Sequence, residues 1–308
     1  MNKFYCAFAI LFSVYINAQQ VSVNRVKELL TPLVTDEMMG REIGTPQSDS
    51  AASYIAKRFQ ENNLKYCVGD SYLIPFEYKG KVAYNVCAVK PGKSDKILAH
   101  TAHFDHIGAN GKGADPIFNG ADDNASGVSL VLGLADYFKD ATPEFSMMYI
   151  AFNGEEKGMK GSQAIAANPA LQEKFGKVSA LLNFEMVATE SQFGPNALYM
   201  TGDSFSDLDE IINSNAENGL KIHPDPYIGQ QLFYRSDNVV FARKKIVAHS
   251  FSTVDMRVAK HYHQANDDLS VVKFENLTNI INSVGKTLNK LTPNNFAPKY
   301  NETVNLTR

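Results

Sequence analysis

Ile97-Leu98-Ala99-His100-Thr101-Ala102 is a short β-rich run, and Val128-Ser129-Leu130-Val131-Leu132-Gly133-Leu134-Ala135-Asp136-Tyr137-Phe138 is a strong helix candidate. Ser146-Met147-Met148-Tyr149-Ile150-Ala151-Phe152 is β-rich again. A glycine-rich loop from Gly108 to Gly127 joins the first to the second. Strand, helix, strand in that order is the unit from which layered α/β folds are built. Outward from it the alternation continues. Upstream, apolar residues recur at helical spacing over Ser22–Leu33 and Ser48–Asn62, with Met39 to Thr45 supplying the glycines of a turn. Strands are expected over Tyr72–Tyr78 and Val82–Val89, separated by Lys79-Gly80 and closed by Pro91-Gly92. Downstream come Ala180–Phe184, Ala197–Met200, a helix over Ser206–Asn215, the apolar run Lys245–Phe251 and a last helix over Phe274–Leu291. No repeat, low-complexity segment or linker interrupts the series, so the reading is one domain with a central sheet.

At 308 residues, 44% apolar and 20% charged, the chain can bury a core of ordinary size, which excludes a disordered polymer and a disulfide-stapled mini-domain. The 30 basic and 33 acidic residues give a net charge of −3 with no long run of either sign, which argues against nucleic acid or anionic membrane as partners. Residues 1–18 differ from the rest. Lys3 precedes an apolar stretch from Phe4 to Ile16, which ends in Ile16-Asn17-Ala18, the pattern of a secretory signal peptide. The expectation is a domain over residues 19–291, secreted or periplasmic, with no stable membrane association once the leader is removed. Residues 292–308, with two prolines and four asparagines, are expected as a loose C-terminal tail. Cys67 and Cys87 lie in strand-like runs, and either a disulfide or two buried thiols fits them.

Three of the β-rich runs end in a side chain able to hold a metal. Ile97–Ala102 delivers His103, Met147–Phe152 delivers Glu155 and Glu156, and Ala180–Phe184 delivers Glu185. Sites in open α/β sheets form at the carboxyl ends of strands. Asp123, in the Gly120-to-Gly127 loop that opens a helix, and His263, in a polar loop before the last helix, are further candidates. Imidazoles and carboxylates without cysteine suit zinc, manganese or cobalt. Singly each has an ordinary explanation: a strand-end histidine can be structural, Asp and Asn cap helices, and adjacent acids are commonly solvated. As a set they are specific. Asp105, two residues after His103, fits a carboxylate that fixes the imidazole tautomer through its other nitrogen. Glu155 and Glu156 are consecutive and must diverge, so one can bind metal while the other faces water.

The blocks Ala102-His103-Phe104-Asp105-His106-Ile107-Gly108, Gly120 to Gly127, Phe152-Asn153-Gly154-Glu155-Glu156, Asn183-Phe184-Glu185-Met186-Val187 and Tyr262-His263 resemble, in order and spacing, the co-catalytic di-zinc aminopeptidases of the bacterial leucyl aminopeptidase and aminopeptidase Y type. The resemblance covers most of the chain after residue 18, including the Gly40-Arg41 turn and the Arg235-Ser236-Asp237 block. It implies a zinc-peptidase-like fold of three α/β/α layers around a mixed, mostly parallel sheet. It also implies two zinc ions bridged by Asp123, with His103 and Glu185 on one ion, Glu156 and His263 on the other, and Glu155 as general base. His261 competes with His263, which the resemblance favours because it stands four residues before Asp267. A cis Asp123-Asn124 bond is implied as well. The implied reaction is hydrolysis at a free peptide N-terminus, with a bridging water acidified toward about 7, Glu155 moving its proton, and Tyr262 supporting the oxyanion.

Two positions depart from the family pattern: Glu185 stands where the best-known members have Asp, and Asn238 where His is commoner. Three alternatives remain open from the sequence. They are a single-zinc glutaminyl cyclase, another exopeptidase such as a carboxypeptidase or dipeptidase, and a catalytically dead binding homologue. The sequence does not define the polar group that reads a free amine or a free carboxylate.

Overall fold

The computed structural model describes residues 20–109 and 113–306, so the leader expected over residues 1–18 lies outside the described residues. In chain order the elements are α1 (Val23–Leu30), α2 (Pro46–Glu61), β1 (Lys65–Tyr66), β2 (Leu73–Tyr78), β3 (Lys81–Lys90), β4 (Ile97–His103) and α3 (Gly127–Tyr137). They continue with β5 (Ser146–Phe152), α4 (Lys160–Ala167), α5 (Gln172–Phe175), β6 (Val178–Phe184) and β7 (Ala197–Met200). Last come α6 (Leu208–Ser214), β8 (Lys221–Pro224), α7 (Asn238–Ala242), β9 (Ala248–Ser252) and α8 (Phe274–Leu288). Among the described residues the strands form one sheet in the order β1-β3-β5-β4-β6-β9-β7-β8, with β2 paired to β3.

The sheet is mixed, and its centre is parallel. β4 pairs in parallel with β5 on one side and β6 on the other, and β6 in parallel with β9. The β1, β2 and β5 partners of β3 run antiparallel to it, as does β7 to β9. Strands buried on both faces are what a parallel core requires, and all seven residues of β4 are buried.

Successive side chains on each strand feed two separate apolar cores. Leu98 and Ala102 of β4, Met147, Tyr149 and Ala151 of β5, and Ala180, Leu182 and Phe184 of β6 join the core under α1, α2, α3, α6 and α8. Ile97 and Ala99, Met148, Ile150 and Phe152, and Leu181 join the opposite core, under α4, α5 and α7. The result is the three-layer α/β/α architecture. α3 is apolar nearly all round because it lies between the sheet and the helices α1 and α8.

Most expected elements are present, and the differences have local causes. The helix expected over Ser22–Leu33 gives way after Leu30 to a 3₁₀ turn over Thr31–Leu33, where Pro32 supplies no N–H. The strand expected from Lys245 starts at Ala248, since Lys245 itself is left-handed (φ 67°) in the turn after α7. In the run around Cys67 only Lys65 and Tyr66 are assigned to a strand, but Cys67 and Cys87 form a disulfide that ties this segment to β3. The described stretch from Thr292 to Leu306 is not loose. Phe296 and Leu306 are buried, and the Tyr300 hydroxyl donates to the carbonyl of Ile246 and accepts from the Ala248 N–H, so apolar and aromatic residues among the asparagines dock it at the start of β9.

Candidate metal centre

Because β5, β4 and β6 are adjacent and parallel, their carboxyl ends open on one edge of the sheet. His103 is the last residue of β4 and pairs with Phe152, the last of β5, so Glu155 and Glu156 follow immediately beside it. Glu185 follows the end of β6 on the other side. Asp123 reaches the same edge from the loop before α3. That loop is pressed hard against β6: a Cβ on Gly127 would lie 2.3 Å from the Phe184 carbonyl oxygen, so only glycine fits there. Asn124 laces the two together, donating to the Phe184 carbonyl at 2.8 Å and accepting from the N–H groups of Gly127 and Met186 at 3.1 Å. The Asp123-Asn124 peptide is cis.

The donors form two groups that share Asp123. In one, His103 Nε2 lies 2.8 Å from Glu185 Oε1 and 3.3 Å from Asp123 Oδ1. In the other, Asp123 Oδ2 and Glu156 Oε2 lie 3.3 Å and 3.1 Å from His263 Nε2, and Glu156 Oε1 lies 2.9 Å from His106 Nδ1. Within each group the donor atoms lie within 4.8 Å of one another, as ligands of one ion must. Of the two late histidines, His263 lies beside Asp123, whereas His261 Nε2 pairs with Asp122 Oδ2 at 2.9 Å.

The electrostatics fit cations. Asp123 and Glu156 are at least largely buried, and buried carboxylates need counter-charge. Burial pushes Asp123 up, but His103, His106 and His263 outweigh it and hold the group well below the ordinary carboxylate range. Hydrogen bonds to Asp123 and Glu156 push His263 up to about 10. Burial opposes charge on His103, yet Glu185, Asp105 and Asp123 hold it well above its usual value. Carboxylates that favour positive charge on His103 and His263 make the donor chemistry that divalent cations would satisfy. Glu155 behaves oppositely: burial pushes its carboxyl well above the usual range, with Glu185, Asp237 and Glu156 adding to the rise against the pull of His103.

Two features differ from the sequence expectations. The carboxylate of Asp105, expected to fix His103, stands 3.7 Å from Nδ1, and the backbone carbonyl of Asp105 meets that nitrogen instead, at 2.9 Å. The carboxylate accepts the N–H groups of Glu155 at 3.1 Å and Glu156 at 3.3 Å, so Asp105 pins the loop after β5 to the end of β4. His106 has no expected role, yet it is buried and its Nδ1 is the fourth donor of the second group. Its signal in the sequence is a second imidazole three residues after His103. Behind these donors Asp267 accepts the N–H groups of Asp122 and Asp123 at 2.8 and 3.0 Å, and Ser236 Oγ donates to Glu185 Oε2 at 2.7 Å.

Glu155, Glu156, Glu185, Asp123 and His263 open into a cavity of about 120 Å³. Met186, Leu232, Val254 and Met256 supply apolar walls, and Arg235 and Tyr262 also line it. The Tyr262 ring stacks on His263 with centroids 4.0 Å apart. Asn238 does not line this cavity. It donates to the Phe233 carbonyl and accepts from Ser250 Oγ, as part of the supporting framework.

Known proteins resemble this chain in sequence or in fold. Aminopeptidase YwaD of Bacillus subtilis (strain 168) is 27% identical over 176 residues, 56% of this chain and 35% of its own length. The chain spans less than half the length of the first curated relatives it matches. Among solved structures, a leucine aminopeptidase precursor and a glutaminyl cyclase, both from Bacteroides thetaiotaomicron, superpose with TM-scores of 0.70 and 0.71. Each is 18% identical and covers 90% of this chain, with 99% and 100% of the respective partner covered, so both share the fold. Residues 85–288, more than half of the chain and spanning β3 to the end of α8, match Peptidase family M28. The chain therefore belongs to Peptidase family M28.

Proposed function

We propose that this chain is an exported zinc-dependent aminopeptidase that holds two ions and removes N-terminal residues from peptides. The observation that carries the reading is the position of Asp123: its two carboxylate oxygens face two different donor groups, with Glu155 beside them at a cavity sized for one side chain. His103 and Glu185 would hold one ion and Glu156 and His263 the other, with His106 beside the second. When bound, divalent ions supply Lewis-acid polarisation of a carbonyl and acidify a water. Glu155 Oε accepts that water's proton and returns it to the leaving amine nitrogen. Burial raises the proton affinity of that carboxylate, which favours the first of these two transfers. Tyr262, stacked on His263 at the cavity wall, donates its hydroxyl proton toward the carbonyl oxygen as negative charge develops there. Aminopeptidase names among the relatives favour the N-terminal direction. Export is supported by the leader pattern of residues 1–18 and by the Cys67–Cys87 disulfide, which suits an oxidising compartment. Among the described residues no helix is long and apolar enough to cross a membrane.

The test pairs metal analysis with turnover. Purified protein is expected to contain about two zinc equivalents and to release chromophore from leucyl amides until a chelator is added. One equivalent together with cyclisation of glutaminyl substrates would establish the cyclase chemistry of the Bacteroides relative instead.

A further inference from the structure

Arg25, Arg58 and Arg257 each pair with a carboxylate inside the molecule, and Arg41 donates to four buried carbonyls. Arg235 differs. Its side chain is exposed at the cavity and makes a long hydrogen bond from Nη2 to Tyr262 Oη at 3.4 Å, with no carboxylate of the described residues in an ion pair with it. Its backbone is nonetheless fixed. Arg235 N donates to the Leu232 carbonyl at 3.0 Å, and the flanking Phe233, Ser236 and Asp237 are buried. A guanidinium is a planar fork of donors matched to a carboxylate, so an Arg held at a site without an acid to pair with is a receptor for an anionic group.

We infer that Arg235 recognises the free carboxylate of a short substrate, so that dipeptides are preferred over longer or C-terminally blocked peptides. The inference rests on the aminopeptidase reading. Reach decides which group arrives at the guanidinium. The cavity of about 120 Å³ is of the size of one side chain, and Arg235 is the one exposed residue of its lining, so the substrate beyond the scissile bond leaves toward solvent past Arg235. With the scissile carbonyl oxygen on Tyr262 Oη, the next carbonyl carbon along the chain is three bonds from the scissile carbon, roughly 3–4 Å from it. Arg235 Nη2 is 3.4 Å from that same hydroxyl. In a dipeptide the group arriving there is a carboxylate with two anionic acceptors. In a longer peptide it is a neutral carbonyl with one. Recognition of this kind supplies the carboxylate reader that the sequence does not define.

The test compares Leu-Ala with its C-terminal amide. In the zinc-loaded wild type, kcat/KM for the free acid is expected to exceed that for the amide by at least about tenfold, mainly through KM, the scale of a charged hydrogen bond. Arg235→Met should bring the ratio close to one, and Arg235→Lys should retain part of it. A wild-type ratio near one overturns the inference. So does an Arg235→Met enzyme in which both substrates slow equally, because Arg235 would then act only through Tyr262. Should the wild type cleave neither compound, the aminopeptidase reading fails by itself, and binding decides this one. Calorimetry on zinc-loaded Glu155→Gln protein is expected to show the same preference for the free acid, lost when Arg235→Met is added; equal or absent binding overturns it.

Discussion

Glu155 and Asp123 are both carboxylates at one edge of the sheet, and substitution separates the roles proposed for them. Glu155 joins neither donor group but faces the cavity, whereas Asp123 joins both. Glu155→Gln keeps the shape and removes the proposed proton acceptor, so kcat on leucyl substrates is expected to fall by about 10²–10⁴ with zinc content unchanged. Asp123→Asn weakens both donor groups at once, and metal analysis should show both equivalents reduced together with activity. A Glu155→Gln protein that loses zinc would reassign that residue as a ligand. Loss of only one equivalent from Asp123→Asn would show that the carboxylate is not shared. Asp105 is the counterpart that acts through the backbone. It holds the N–H groups of both glutamates, so its effect is on where Glu155 and Glu156 stand.

The elements that carry these residues are legible in the sequence to unequal degrees, for physical reasons. β4, β5 and β6 are largely buried and read as short, β-rich, mainly apolar runs, so their ends, and with them His103, Glu155, Glu156 and Glu185, can be located from the residue pattern. β8 and α7 leave no such pattern. β8 is a four-residue strand, Lys221–Pro224, with mixed burial, and α7 has five residues, too few to show a period. The carboxylate role of Asp105 is not legible because a two-residue spacing gives no account of whether a side chain or a carbonyl turns back, and the competing N–H groups come from 50 residues away. Arg41 shows the same limit in the opposite direction. Its Gly40-Arg41 turn is visible in the sequence, but not that its buried guanidinium binds the carbonyls of Leu33, Phe104, Asn119 and Gly120, joining the loops that follow α1, follow β4 and precede Asp123. Burial pushes its pKa down to about 10, which still leaves it charged at neutral pH. Arg41→Met orphans those carbonyls and is expected to lower unfolding free energy in urea by at least about 3 kcal/mol. It should also weaken zinc binding, since the loop carrying Asp123 loses its anchor. A change below about 1 kcal/mol would show that the loops hold themselves without it.

At the scale of the whole molecule the same burial that makes the sheet reliable makes its stability sensitive to acid through residues remote from the proposed chemistry. His100, inside β4, and His249, inside β9, are fully buried. Burial pushes His100, whose ring nitrogens have no hydrogen-bond partner among the described residues, down to about 3, and His249 down to about 4 from a usual 6.5 despite the hydrogen bond between its Nδ1 and the Thr201 carbonyl. The sign follows from which state takes up protons. Above pH 6.5 both imidazoles are neutral in the folded and the unfolded chain, and their burial carries no proton penalty. As pH falls below 6.5 the unfolded chain binds a proton at each, while the folded chain waits until about pH 4 and pH 3, so folding is progressively disfavoured across that window. Each such group steepens the decline by about 1.4 kcal/mol per pH unit, and His100 alone removes up to about 5 kcal/mol by the bottom of its window. Carboxylates titrate over the same range, so the diagnostic quantity is a difference between proteins. In metal-free samples, urea unfolding of wild type and His100→Leu between about pH 4 and pH 6 is expected to give slopes that differ by about 1.4 kcal/mol per pH unit, the variant being the shallower. Parallel lines would mean that His100 takes up its proton in the folded state at an ordinary pH. The closed packing of β4 between two helical layers would then open to water more readily than its burial implies.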